Sequence, residues 1–273
     1  MMLLNRLLST VGLVRPARHS GFCPACRLHL MEDAPQGDAP QGSSELATPA
    51  LAVAATLVVV VGAWAFTIDQ ARSMTGMAMG LGPWESFAVA WVAMMAAMML
   101  PSAIPLIFEF ARRSEGRRAW PVATVVLALA YLAVWLAFGL VCYGVYVTIG
   151  MPWPNQARAG GVALVLAGLY ALTPVKRASQ ARCRELCALH GPLPFNLMRS
   201  AVTAGVRYGL SCAGCSAGLM IAMVLIGMSN LVVAVLLAAA VLIYKFAPPL
   251  AWRYDVVFAL GIAAAGVAYA VLA

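Results

Sequence analysis

Residues 208–244 read YGLSCAGCSAGLMIAMVLIGMSNLVVAVLLAAAVLIY, 37 positions without an Asp, Glu, Lys or Arg. As one helix the run would extend about 55 Å at 1.5 Å per residue. That is nearly twice the hydrocarbon thickness of a bilayer, about 30 Å. Gly227-Met-Ser-Asn230 in its middle is a helix-breaking cluster. The run therefore reads as two membrane spans joined by a turn. The whole chain agrees with that reading: 273 residues are 63% hydrophobic and only 10% charged, against about 25% charged in soluble domains. Such a composition cannot cover a water-facing surface, and it excludes disorder. Seven Cys are too sparse for a secreted disulfide scaffold.

Working outward, charged residues bound further apolar runs. Ala50–Ile68 ends at Asp69, and Ser86–Phe108 lies between Glu85 and Glu109. Ala119–Ala157 is too long for one crossing; its end, Gly150-Met-Pro-Trp-Pro-Asn155, confines the helix to about 120–149. Ala159–Val175 is a short fourth span and Val256–Ala273 the last. The expected fold is all-α: a polytopic transmembrane helical bundle of about seven spans with a cytoplasmic N-terminus, in the inner (cytoplasmic) membrane. With that orientation 16 of the 18 Lys and Arg fall on the cytoplasmic side, leaving only Arg72 and Arg158 outside. Merging residues 208–244 into one crossing gives six spans and a worse partition, because Lys245 and Arg253 then move out. The net charge of +8 is thus accounted for by topology and the lipid bilayer, with no nucleic acid required. Two domains are expected: a flexible cytoplasmic arm over 1–48, with the linker-like GluAspAlaProGlnGlyAspAlaProGlnGly stretch from Glu32, and a transmembrane domain over 49–273.

None of the ten carboxylates falls at mid-membrane, and His19, His29 and His190 are all placed on the cytoplasmic side. A buried proton relay is therefore disfavoured, and no Ser/His/Asp set lies on one side for hydrolysis. Sulfur is what the chain offers: 15 Met and 7 Cys. Met94, Met95, Met98 and Met99 lie in one span, in Trp91-Val-Ala-Met-Met-Ala-Ala-Met-Met-Leu-Pro-Ser102. At about 100° per residue they cover an arc of roughly 140°. Thioethers are soft donors that favour Cu(I); the plainer alternative is that Met fills gaps between packed helices. In the preceding outer loop, Met74, Met77 and Met79 form an M-x-x-M-x-M array that could close on a soft ion without losing protons.

On the cytoplasmic side, Cys183 and Cys187 are spaced i, i+4, which a helix puts on one face. Cys212 and Cys215 form C-A-G-C, expected at the cytoplasmic start of the fifth span, where they share an arc with Ser216, Met220 and Met223. Four thiols from two segments suit tetrahedral Zn(II) or a lower-coordinate Cu(I) site; redox exchange and plain packing are the alternatives. Cys142, alone in a span, reads as packing. In the arm, Cys23 and Cys26 form a C-P-x-C knuckle near His29, without the second knuckle of a zinc ribbon. Lys245 reads as an interfacial anchor.

These motifs together resemble the family of predicted metal-binding integral membrane proteins, a domain of unknown function in bacteria and archaea. The resemblance spans roughly residues 50–270. It rests on the Met helix from Trp91 to Ser102, on Gly168-Leu-Tyr170 through Pro174-Val-Lys176, on Cys183-Arg184, and on Gly205-Val-Arg207-Tyr-Gly209-Leu-Ser-Cys212-Ala-Gly-Cys215 with Met220 and Gly227. It implies a helical membrane fold and metal binding. Relatives tend to carry Cys at the position of Ser179, Cys-Trp at Ser216-Ala217, and an acidic residue at Tyr244.

The function expected is binding of a soft metal, Cu(I) foremost with Zn(II) as the other occupant. The route would run from the outer Met loop along the Met helix, past Met220 and Met223, to the cytoplasmic thiols, for uptake, transfer or delivery. A metal chaperone or another membrane protein would be the partner, and no catalytic residue is assigned. A membrane thiol-disulfide oxidoreductase is the enzymatic alternative. A non-catalytic scaffold is the other, its stripes Gly160-Gly161, Ala238-Ala-Ala240 and Ala263-Ala-Ala-Gly266 packing on a partner.

Overall fold

The computed structural model describes residues 47–73, 81–151, 155–187, 196–227, 231–246 and 252–272. The arm with Cys23, Cys26 and His29, and the loop with Met74, Met77 and Met79, lie outside the described residues. Those described form eight helices and no strand: α1 Ala47–Ser73, α2 Trp84–Arg113, α3 Trp120–Thr148, α4 Gln156–Ala171, α5 Pro174–Cys187, α6 Leu197–Ile226, α7 Leu231–Phe246 and α8 Trp252–Leu272. Among them α1, α2, α3 and α6 are long and apolar enough to cross a bilayer, and the bent pair α4–α5 makes a fifth if counted as one. Within α7 and α8, Leu231–Ile243 and Asp255–Val271 are shorter apolar helices. Long apolar helices in this number are compatible with a multi-pass membrane protein.

α2 and α6 form the centre. α2 packs on α1, α3 and α7, while α6 packs on α3, α4 and α5. Apolar burial gives no preference for protein over lipid tails, so such helices associate through close packing and polar contacts. On α2, Trp91 is buried and donates its indole N–H to the Trp135 carbonyl at 2.7 Å, pinning α2 to α3. Pro101 and Pro105 lie inside α2; each removes an intrahelical amide and frees a carbonyl four residues back. Between α4 and α8, a Cβ on Gly161 would sit 2.6 Å from the Gly266 carbonyl, and one on Gly266 2.7 Å from that of Gly161. Two of the three small-residue stripes expected to meet a partner thus pack on each other within the chain.

The breaks have local causes. Gly227, at φ +110°, ends α6 in a conformation that residues with a Cβ rarely adopt. The long apolar run divides there, and α7 resumes at Leu231. At the end of α4, Pro174 lacks the N–H that would continue the helix and starts α5 instead, with the Thr173 hydroxyl accepting from the Lys176 amide at 3.3 Å. The chain bends by 70° here. α5 is amphipathic: Lys176, Cys183 and Cys187 are buried, while Arg177 and Glu185 face outward.

α6 corrects one expectation from sequence. It begins at Leu197, capped by the Asn196 side chain accepting from the Arg199 amide. Cys212 and Cys215 therefore lie halfway along a 30-residue helix, not at its start. Arg199 and Arg207, which suggested a loop, are instead accommodated in its first three turns.

Candidate metal site

The half-way point of α6 is where the polar side chains of the bundle converge. Cys212 is fully buried. Its Sγ accepts from Lys245 Nζ at 2.7 Å and lies 3.1 Å from the Tyr131 hydroxyl. Lys245, near the end of α7, also donates to Ser102 Oγ at 2.9 Å. The ammonium lies 5.8 Å from the centre of the Tyr208 ring, within range of a cation–π contact. Tyr131 in turn reaches the Met99 carbonyl at 3.3 Å, and Tyr208 donates to the Ser102 carbonyl. These contacts join α2, α3, α6 and α7 around one sulfur.

Around this network lie the remaining thiols. Cys183 of α5 interacts through its side chain with both Cys212 and Cys215. The Cys187 thiol donates back to the Cys183 carbonyl at 3.3 Å. Cys215 donates to the Cys212 carbonyl at 3.1 Å and lies 3.5 Å from Ser216 Oγ. All four are free thiols. The approach of α5 is set by Gly214, the glycine of C-A-G-C: a Cβ there would fall 2.7 Å from Ser179 Oγ and 3.1 Å from its Cβ. A cleft of about 20 Å³, lined by Cys183, Cys187, Cys215, Lys245 and Gln180 among others, has room for about one water-sized sphere.

Met94, Met95, Met98 and Met99 are all buried in α2, one to two turns before Ser102. Met220 and Met223 are buried on α6 beyond Cys215. Cys183 and Cys187 face inward from α5, and Cys142 on α3 is half-buried. The helix segment that carries the thioethers lies next to the thiols: the Tyr131 hydroxyl touches both the Met99 backbone carbonyl and Cys212 Sγ.

Lys245 is not an interfacial anchor, since Nζ turns into the bundle to meet Cys212. Tyr131 and Tyr208 join the site without belonging to any of the sulfur motifs. The signal available was a Tyr in the middle of an apolar span and a Lys closing a 37-residue uncharged run, both costly in lipid unless partnered.

The donor set is soft, and it is small. Among the described residues no three His, Cys, Asp or Glu are grouped to hold a metal ion, so a closed tetrahedral zinc site is not formed by these side chains. Neighbouring thiols in pairs remain, suited to a monovalent soft ion.

A model of the family named PpoB2 and described as "Copper chaperone" matches residues 88–271, more than half of the chain. The match takes in α3 to α8 and nearly all of α2, and leaves α1 and the arm outside. No curated protein and no solved structure matches.

Proposed function

This chain belongs to the PpoB2 copper chaperone family, and from that premise we propose that it carries copper as Cu(I) on thiols held inside a multi-pass membrane bundle. The observation that carries the reading is the pairing of inward-facing thiols, Cys183 with Cys212 and with Cys215, beside Lys245. Polar groups gathered in an otherwise apolar bundle are expensive, and they mark a site. Thiols select soft ions. The shortage of a third or fourth ligand among the described residues favours Cu(I) over zinc in a closed site.

In this reading the Met run of α2 is the approach. Thioethers hold Cu(I) weakly and without losing a proton, whereas thiolates hold it more tightly. An ion passing Met94, Met95, Met98 and Met99 would arrive beside Cys212, at the level where Tyr131 links the two regions. Met74, Met77 and Met79 would collect it outside, and Met220 and Met223 line the far side of the thiols. The bundle is read as crossing the inner membrane seven times, α7 and α8 included, with the N-terminal arm in the cytoplasm; the Lys/Arg distribution supports this. Cargo carried this way is handed to a second copper protein, and no catalytic group is needed.

The test is metal content by mass spectrometry, on full-length protein purified in detergent under reducing conditions from copper-supplemented cells. Copper is expected with the native chain. It should be lost when Cys183, Cys187, Cys212 and Cys215 are all changed to Ser. Copper retained by that variant, or zinc in place of copper in the native chain, would overturn the assignment to these thiols.

A further inference from the structure

The inward-turned ammonium of Lys245 is not required for thiols to bind copper, and it contributes no donor atom. It nonetheless sits at the centre of the site. Its neighbours there include Cys212 Sγ, Ser102 Oγ and the Tyr208 ring face, which come from two different helices. Cys183 and Cys215 also lie within its electrostatic reach.

A coordinated thiol is a thiolate. Two thiolates holding Cu(I) therefore carry one net negative charge, and the fixed ammonium cancels it. The same pair holding Zn(II) or Cu(II) is neutral by itself, and Lys245 then leaves one uncompensated positive charge inside the bundle. In a low-dielectric interior an uncompensated charge is strongly unfavourable. A thiolate that accepts N–H···S from a lysine still has lone pairs for a metal, so Lys245 need not move for the ion to enter. Among the described residues, Glu109 lies at the Arg112–Arg113 end of α2 and pairs with both arginines. Asp255, on α8, acts electrostatically on Lys176. The charge on Lys245 is therefore answered chiefly by the thiols.

We propose that Lys245 is the specificity-determining residue of the thiol site, a built-in counter-cation that selects monovalent over divalent soft metal ions. It acts as a positioning and charge-setting group, not as a ligand. The inference rests on the preceding reading that these thiols bind the metal.

The experiment is competition dialysis of the full-length detergent-purified protein against Cu(I) and Zn(II) together, kept reduced, with both metals counted per chain. The native protein should load Cu(I) in preference. Lys245→Gln should weaken Cu(I) binding about 10- to 100-fold, the range typical of groups just behind metal ligands. It should also raise the zinc-to-copper ratio. Lys245→Arg, which keeps the charge, should preserve the native ratio even if affinity falls, and a well-folded Lys245→Met should behave as Lys245→Gln does. An unchanged zinc-to-copper ratio in both neutral variants would overturn the proposal while leaving copper binding intact. A native protein that takes up no Cu(I) would instead overturn the thiol-site reading, and this inference with it.

Discussion

Two sulfur-rich regions lie side by side in this bundle and are built in opposite ways. The methionine run of α2 is packed as core: Met94, Met95, Met98 and Met99 are each no more than 2% exposed, alongside Trp91, Ala97 and Leu100. The thiol cluster is surrounded by an ammonium, two tyrosine hydroxyls and a serine. A thioether is neutral and loses no proton on binding an ion, so ordinary apolar packing can house the side chain itself. A thiolate in lipid surroundings needs charge compensation and hydrogen-bond partners. The difference shows where the bundle makes costly polar contacts, and thus where tight binding is to be sought.

The sharpest way to break this contrast is to remove the central sulfur. Cys212→Ala takes one of two direct hydrogen-bond partners from Lys245 Nζ and the nearest group that compensates its charge, a loss of up to about 3–5 kcal/mol. The unfolding midpoint in detergent should fall accordingly, and copper should be lost. Adding Lys245→Met to Cys212→Ala should recover most of the stability and none of the copper. On the other side, Met98→Leu, a near-isosteric change in a packed core, should cost less than about 1.5 kcal/mol. Equal destabilisation by Cys212→Ala and Met98→Leu would mean that the thiol is mere packing and that the two regions do not differ.

A smaller effect is expected from altering how α5 reaches the cluster without touching any sulfur. Gly214→Val would drive its side chain into Ser179, whose Oγ already lies 2.7 Å from where a Cβ would stand. Overpacking of this kind costs about 1–3 kcal/mol. Displacing α5 should separate Cys183 from Cys215, read as reduced cross-linking of the two by a short bis-thiol reagent. The Met run of α2 should be unaffected, since α5 meets α2 only marginally. Cross-linking at the native level in Gly214→Val would show that the α5–α6 approach is not what assembles the thiols.

Much of this architecture was legible from local signals. The uncharged run at 208–244, its division at Gly227 and the bend before Pro174 all follow from residues acting on their own backbone. The i, i+4 pair Cys183 and Cys187 is buried on one face of α5, as helical periodicity requires. What the sequence concealed was long-range. Lys245 is 33 residues from Cys212 and 143 from Ser102, and nothing in local spacing says that a lysine at a span end turns inward. The start of α6 is concealed for a related reason: Arg199 and Arg207 suggest water, whereas the helix runs for 30 residues and begins ahead of both. Tyr131 was hidden within an apolar span because a tyrosine can pack as a hydrophobe and spend its hydroxyl on a partner found only in three dimensions.

That tyrosine gives the most delicate test, because its hydroxyl touches the Met99 carbonyl of one region and the Cys212 sulfur of the other. Tyr131→Phe keeps the ring in its packed place against Tyr208 and removes the hydroxyl's contacts, among them those to the Met99 carbonyl and Cys212. Cys212 Sγ retains Lys245, and the Met99 carbonyl retains Ser102 Oγ at 2.7 Å, so no buried acceptor is stranded. The loss should therefore be near 1 kcal/mol, the worth of an ordinary hydrogen bond, or about fivefold in copper affinity. The informative comparison is with Lys245→Gln. If the hydroxyl only fixes the orientation of Cys212, Tyr131→Phe lowers affinity for Cu(I) and Zn(II) alike and leaves their ratio as in the native chain. A shift in that ratio would place Tyr131, and with it the end of the methionine run, inside the charge balance of the thiol site, and the two regions would have to be treated as one.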